Sequence, residues 1–99
     1  MPDYRLSPKA IADLENIYAQ GLEQFGSAQA DRYQHELHGR FQLLAEFPGI
    51  AGKALRGVSP PIHRFPFGAH VILFRPDEAG AVIVRVFQAR MDWLRLLET

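Results

Sequence analysis

One stretch constrains this chain more than any other: Gly80-Ala-Val-Ile-Val-Arg-Val-Phe-Gln88, its most strongly apolar and β-branched run. Branched side chains pack well on a pleated surface and are stiff at χ1, so the run predicts a strand. A strand this apolar is expected to be central and covered on at least one face. Arg85 interrupts it, and a charge in that setting has to reach a groove, a partner or water. The run then breaks into a charged turn, Arg90-Met91-Asp92, and an apolar tail containing Trp93, Leu94, Leu96 and Leu97. Strand parity puts Val82, Val84, Val86 and Gln88 on one face and Ile83, Arg85 and Phe87 on the other. The valine face is expected to meet a covering layer, with Arg85 on the open side.

That covering layer is written earlier in the chain. Asp3-Tyr-Arg-Leu-Ser7 alternates polar and apolar and reads as a short strand, with Tyr4 and Leu6 on one side. Ser7-Pro8 then opens a helix. The Ser7 hydroxyl can accept an orphan backbone N–H, and Pro8 has none to lose at the first helical position. Ile11, Leu14, Ile17, Tyr18, Leu22 and Phe25 recur at helical spacing, with Asp13, Glu15, Asn16 and Glu23 off the stripe. Gly26 suits the residue that ends a helix. Ser27 is the next N-cap candidate. Ala30, Tyr33, Leu37, Phe41, Leu44 and Phe47 form a second stripe, which Pro48-Gly49 stops. Gly39 weakens this helix by up to about 1 kcal/mol relative to alanine, and its small size is a candidate device for close packing. With only Gly26-Ser27 between them, the helices are expected to form an antiparallel hairpin.

Residues 49–61 read as a loop carrying Lys53 and Arg56. Three strands follow: Ile62 to Phe67, then Ala69 to Arg75 after a turn at Gly68, then the opening stretch after a Pro76–Gly80 turn. Pro66 cannot donate to a ladder, so its backbone should face away from a neighbour. Met91 to Leu97 allows a terminal helical turn or two. The expected fold class is α+β in the order β-α-α-β-β-β. A helical hairpin packs on one face of a small, largely antiparallel sheet, with a short C-terminal helix.

Ninety-nine residues suit one domain, residues 1–99. With no cysteine there is neither a disulfide framework nor a thiolate metal site. No apolar run is long enough to span a membrane, and Met1-Pro-Asp-Tyr-Arg lacks the apolar core of a signal peptide. A cytoplasmic protein is expected. Net charge is zero, yet residues 1–50 hold four Lys/Arg against seven Asp/Glu while residues 51–99 hold seven against four. Such asymmetry predicts one acidic and one basic surface, short of the balance of a dedicated nucleic-acid binder.

Few residues form a chemical constellation. Arg64 and Arg85 are expected to meet across the open sheet face, where they would bind phosphate or carboxylate, or else make a structural ion pair with Asp92, Glu98 or a partner's carboxylate. His35 and His38 stand three apart on the second helix, without the further ligands and supporting groups a metal needs. His63 and His70 flank the Gly68 turn. RNA cleavage would need a base, an acid and cationic phosphate holders converging, and the last strand ends in Phe87-Gln88 rather than in a His or Tyr. No glycine-rich strand-to-helix loop suggests a nucleotide, and no cofactor is expected. The Trp93 tail either packs back on the core or presents a binding centre.

The ordered set of residues resembles the ParE toxins of the RelE/ParE toxin–antitoxin superfamily. The pattern runs Tyr4-Arg-Leu-Ser-Pro8-Lys-Ala, Asp13-Leu14, Ile17, Gly26, Gln29-Ala30, Tyr33, Leu44, Phe47-Pro48 and Gly57. It continues through Arg64, His70, Ile72, Phe74-Arg75, Ile83, Arg85-Val86 and Arg90-Met91-Asp92. The resemblance implies the same β-α-α-β-β-β fold and a toxin that poisons DNA gyrase without being an enzyme. It also implies neutralisation by a ParD-like ribbon-helix-helix antitoxin, with operator DNA contacted only through that antitoxin, and no membrane partner.

The resemblance makes Arg64, Arg85, Arg90, Met91, Asp92, Trp93 and Leu94 candidates for contact with the target. Leu14, Tyr18, Leu22, Tyr33, Leu37, Phe74 and Arg75 are the candidates for contact with the antitoxin. Gln88 departs from the family, many of whose members have histidine there, which weakens an acid–base reading. The rivals are a RelE-like mRNA endonuclease using Arg64, Arg85, His63 or His70, and a non-toxic relative that only binds an antitoxin. Deleting residues from Arg90 onward is expected to remove toxicity and spare antitoxin binding.

Overall fold

The first strand, β1 (Asp3–Leu6), is only four residues long because Ser7-Pro8 turns the chain into a helix. In this computed structural model, which describes residues 2–97, Ser7 Oγ accepts the Ala10 N–H at 3.0 Å and donates to the Val84 carbonyl at 2.7 Å. One hydroxyl therefore caps α1 (Pro8–Phe25) and ties its start to the sheet. Gly26, at φ 86°, ends α1 and also stands as the N-cap of α2 (Ser27–Glu46). Ser27 is thus inside α2 rather than capping it, a correction to the expected boundary. The two helices pack closely at Gly21, where an added Cβ would lie 3.3 Å from the Ala30 Cβ. Gly39, the expected site of close packing, faces open space instead.

The chain continues through a 3₁₀ turn (Pro48–Ala51) and a loop to β2 (His63–Phe67), β3 (His70–Asp77), β4 (Gly80–Gln88) and α3 (Trp93–Leu97). The last turn is shorter than Pro76–Gly80: Pro76 and Asp77 stay in β3, and Asp77 Oδ1 accepts the Ala79 N–H. Sheet order is β1-β4-β3-β2, antiparallel except where β1 runs parallel to β4. Pro66 lies on the edge strand β2, where its missing donor costs no ladder bond. Gly80, at φ 140°, is where β1 crosses; a Cβ there would lie 1.9 Å from the Asp3 carbonyl oxygen.

The expected faces of β4 need correcting. Pairing with Tyr4 and Leu6 turns Ala81 and Ile83 towards the helices, not Val82 and Val84. The ladder then jumps from Phe74↔Ile83 to Leu73↔Arg85, so Val84 is an extra residue and the alternation resets. Ile83 and Val86 consequently both reach the helix-covered core. That core joins Ala10 and Leu14 of α1, Leu37, Phe41 and Leu44 of α2, and Ile72, Phe74 and Ile83 of the sheet. Phe47, expected on the buried stripe, is exposed beyond the end of α2. A second cluster lies on the opposite face, where Ile62, Val71, Leu73 and Phe87 are roofed by Leu55 and Val58 of the loop and by Trp93, Leu96 and Leu97. Among the described residues no helix is long and apolar enough to cross a membrane.

Candidate interaction surfaces

The arginine in the central strand is held by a carboxylate from the first helix. β1 pairs with β4 only as far as Ile83, so beyond that point α1 lies along the outer edge of β4. Asp13 accepts from Arg85 Nε at 2.8 Å and from Nη2 at 2.9 Å, and also accepts the Val86 N–H at 2.9 Å. The side chains are 19% and 12% exposed. The hydrogen bond that Arg85 donates to Asp13 raises the Arg85 pKa above its ordinary value, and the guanidinium also lies 4.3 Å over the Phe87 ring. Arg85 is thus in a structural ion pair, but with Asp13 rather than Asp92; Glu98 lies outside the described residues. Arg64 stands in the same ladder row, opposite Leu73, and is exposed on the edge strand.

The tail is anchored and half presented. Trp93, Leu96 and Leu97 pack against the second cluster, whereas Met91 and Leu94 are 45% and 50% exposed. Asp92 lies 4.0 Å from Arg95 Nε in an exposed pair. Arg90 turns the other way and lines a cleft of 560 Å³ between the hairpin and the ends of β3 and β4. Tyr18, Phe25, Tyr33, His70 and Gln88 line it too.

Of the residues proposed to meet an antitoxin, Leu14, Leu37 and Phe74 are buried in the core, so they shape the hairpin surface from beneath. Tyr18 and Leu22 are accessible, and the Tyr18 hydroxyl donates to Asp31 of α2. Tyr33 is half-buried, its oxygen 2.6 Å from His70 Nδ1 and 3.3 Å from the Phe67 carbonyl. Arg75 lies in the other layer, two residues after Leu73 on the sheet face away from the helices. The α1 stripe is wider than the contact it makes: Ile11, Leu22 and Phe25 are 46%, 40% and 59% exposed.

Three of the four histidines serve the fold. His38 and His35 do not act together: His38 Nδ1 meets the Tyr4 hydroxyl at 2.6 Å, while His35 is exposed. Burial lowers the His70 pKa; burial, then the neighbouring His35, lowers that of His38. His63 Nδ1 lies 2.9 Å from the Gly52 carbonyl and ties the loop to β2. Among the described residues no three His, Asp or Glu side chains are grouped to hold a metal.

Three residues escaped the sequence reading. Asp13 was an off-stripe carboxylate and a member of the family pattern with no role assigned to it, because that role depends on how far β1 extends along β4. Gly21 was hidden in a continuous helical pattern. Gln34 was one amide among many; its Oε1 is buried without a hydrogen-bond partner among the described residues, and the side chain borders the cleft.

Known proteins match this chain over most of its length. A family model described as the ParE toxin of the type II toxin–antitoxin system parDE matches residues 4–93. A protein called Toxin ParE1 from Caulobacter vibrioides is 33% identical over 92 residues, covering 93% of this chain and 94% of the relative. Toxin ParE1 of Mycobacterium tuberculosis is 34% identical over 90 residues, 90% of this chain and 91% of its own. A solved structure titled as the chromosomal ParDE TA system from P. aeruginosa shares the fold, with a TM-score of 0.68 at 18% identity over 89% of this chain and 96% of that one.

Proposed function

The chain belongs to the ParE toxin family of type II toxin–antitoxin systems and is a toxin of that type; from this premise we propose that it poisons DNA gyrase by binding, without catalysis, and is silenced by a ParD-like antitoxin. The observation that carries this reading is where large apolar side chains emerge. Ile11, Leu22 and Phe25 emerge on the hairpin, and Met91 and Leu94 on the anchored tail. Phe47 and Ile50 also emerge, just after α2, but the groups on the hairpin and the tail suit two protein contacts.

The hairpin contact is assigned to the antitoxin. An amphipathic segment laid against Tyr18, Leu22 and Tyr33 would cover the stripe that α1 leaves bare, with Leu14, Leu37 and Phe74 beneath it. A donor from that segment would also satisfy Gln34 Oε1, whose burial without a partner costs about 1–3 kcal/mol. In this reading the antitoxin is a ribbon-helix-helix protein, operator DNA is met through it, and the pair works in the cytoplasm. The target contact is assigned to Arg90, Met91, Asp92, Trp93 and Leu94, with Arg64 on the sheet face that the tail partly roofs and Arg85 holding α1 to the sheet.

The test is gyrase supercoiling with the purified chain. Inhibition is expected, with relief by the antitoxin. Deleting the tail would also remove Trp93, Leu96 and Leu97 from the second cluster, so the sharper variant is Met91→Glu with Leu94→Glu. It should fold, bind antitoxin and leave supercoiling intact. Undiminished supercoiling with the unaltered chain defeats the gyrase reading. Cleavage of mRNA by the same preparation would favour the endonuclease, and normal growth on induction without the antitoxin would favour a non-toxic relative.

A further inference from the structure

The sheet face turned away from the helices carries an arginine from every strand. Register places them. Arg64 of β2 is opposite Leu73 of β3, which is opposite Arg85 of β4. Arg75 of β3 is opposite Val82 of β4, which is beside Arg5 of β1. Cross-strand partners share a face, and Leu73 belongs to the cluster on the side away from the helices. Strands lie about 4.8 Å apart and same-face neighbours about 6.7 Å apart along a strand, so the four arginines occupy two adjacent rows. Two are committed: Arg5 pairs with Asp77 and Arg85 with Asp13. Among the described residues Arg64 and Arg75 make no ion pair.

The elements roofing this face add to its charge. Lys53 and Arg56 are exposed on the loop whose Leu55 and Val58 pack there, and Arg95 is exposed on α3. The carboxylates on this side are Asp92, beside Arg95, and Asp3 and Asp77 at the Gly80 end of the sheet, where Glu78 is exposed in the turn. The helical layer has the opposite balance, with Glu15, Glu23, Asp31, Glu36 and Glu46 exposed against Lys9, Arg32 and Arg40. A chain of zero net charge is therefore folded into an acidic and a basic side.

We propose that the basic face binds the phosphate backbone of duplex DNA, so that the toxin touches DNA itself, without reading sequence. The inference takes its setting from the gyrase reading, since gyrase acts on duplex DNA, but its chemistry is separate. Guanidinium forks suit phosphate oxygens. Duplex DNA presents a charge about every 1.7 Å of its axis, so cations spread in two dimensions meet phosphates in many registers. The uncovered part of the sheet also has no large exposed apolar side chain among the described residues, unlike the hairpin and the tail. A protein partner would lack the apolar anchors that dominate protein interfaces, whereas a polyanion needs none.

The test is fluorescence anisotropy of a labelled duplex of about 20 base pairs with the purified chain across a salt series. If Lys53, Arg56, Arg64 and Arg75 each meet a phosphate, log affinity should fall against log salt with a slope of about −3.6, roughly a hundredfold loss between about 50 and 200 mM. Arg64→Glu with Arg75→Glu should flatten the slope by about two and weaken binding at least about tenfold at low salt. Arg32→Glu with Arg40→Glu, matched in charge on the helical layer, should bind DNA like the unaltered chain. Circular dichroism melts establish that both variants are folded. No binding at low salt, or equal loss from both double variants, overturns the inference; so does tighter binding of a polyglutamate peptide or of single-stranded RNA than of the duplex. Gyrase inhibition without DNA binding would end this inference and leave the gyrase reading standing. DNA binding without gyrase inhibition would do the reverse.

Discussion

On the face under the hairpin, Leu37, Phe41 and Leu44 of α2 meet Ile72, Phe74 and Ile83 of the sheet, and all six are fully buried. On the opposite face the buried cluster is Ile62, Val71, Leu73 and Phe87, closed by a loop and a five-residue helix whose Trp93, Leu96 and Leu97 are only partly buried. One face is shut by two long helices with periodic apolar stripes. The other is shut in part and left charged in part. Stability is therefore concentrated on one side of the sheet, while the other side retains surface for contact. Substitutions that strike the two sides unequally test that division.

The largest loss is expected from Phe41→Ala. The ring is fully buried and makes an edge contact with Tyr4 at 5.4 Å between centroids. Its removal leaves a cavity costing about 3–5 kcal/mol, which in a domain of this size lowers Tm by more than about 12 °C. Asp13→Ala comes next, at about 2–4 kcal/mol in urea unfolding, because it strands Arg85 and the Val86 N–H together. Arg85→Ala should cost less, since Asp13 keeps the Val86 N–H. Equal losses from the two would mean that the backbone bond adds nothing. Trp93→Ala tests the other face and should cost about 1–2 kcal/mol, the ring being half-buried. A loss matching that of Phe41→Ala would show that the two faces carry similar weight.

The sequence made the helix-covered face legible and left the other obscure, for physical reasons. Periodicity reports which side of a helix is apolar, so Leu37, Phe41 and Leu44 were readable. It does not report how much of that side is covered, so Ile11, Phe25 and Phe47, read as part of the buried stripes, lie at the surface. Strand parity presumes unbroken alternation, and the extra Val84 broke it. The Arg85–Asp13 pair joins residues 72 positions apart through a parallel pairing that no local pattern encodes. Likewise Arg5 was an ordinary charge, and Arg75 a candidate for the antitoxin contact, until register placed both beside Arg64 and Arg85. Gly39 shows the same limit from the other side: with nothing within 4 Å of an added Cβ, Gly39→Ala should stabilise the chain by about 0.5–1 kcal/mol in thermal melts. A loss there would mean that α2 needs the glycine for a reason beyond packing.

The smallest expected effect is a pH dependence that belongs to the helix-covered face alone. His70 and His38 both reach across from one layer to the other, bonded to Tyr33 and Tyr4. Burial lowers the pKa of each below the ordinary histidine value of about 6.5. Over the range between the ordinary and the lowered values, the unfolded chain binds more protons than the folded one. Stability from this source is therefore complete above about pH 7 and is lost as pH falls through 6.5 towards the folded values. Between about pH 7.5 and 5.5, above the main carboxylate range, the urea midpoint should drift downward on acidification. His70→Asn should flatten that drift while lowering the midpoint at every pH, whereas His35→Asn, on the exposed side of α2, should change it far less. A midpoint that rises on acidification would mean that the two histidines gain protons on folding, and that the layers are joined by charge rather than by neutral hydrogen bonds.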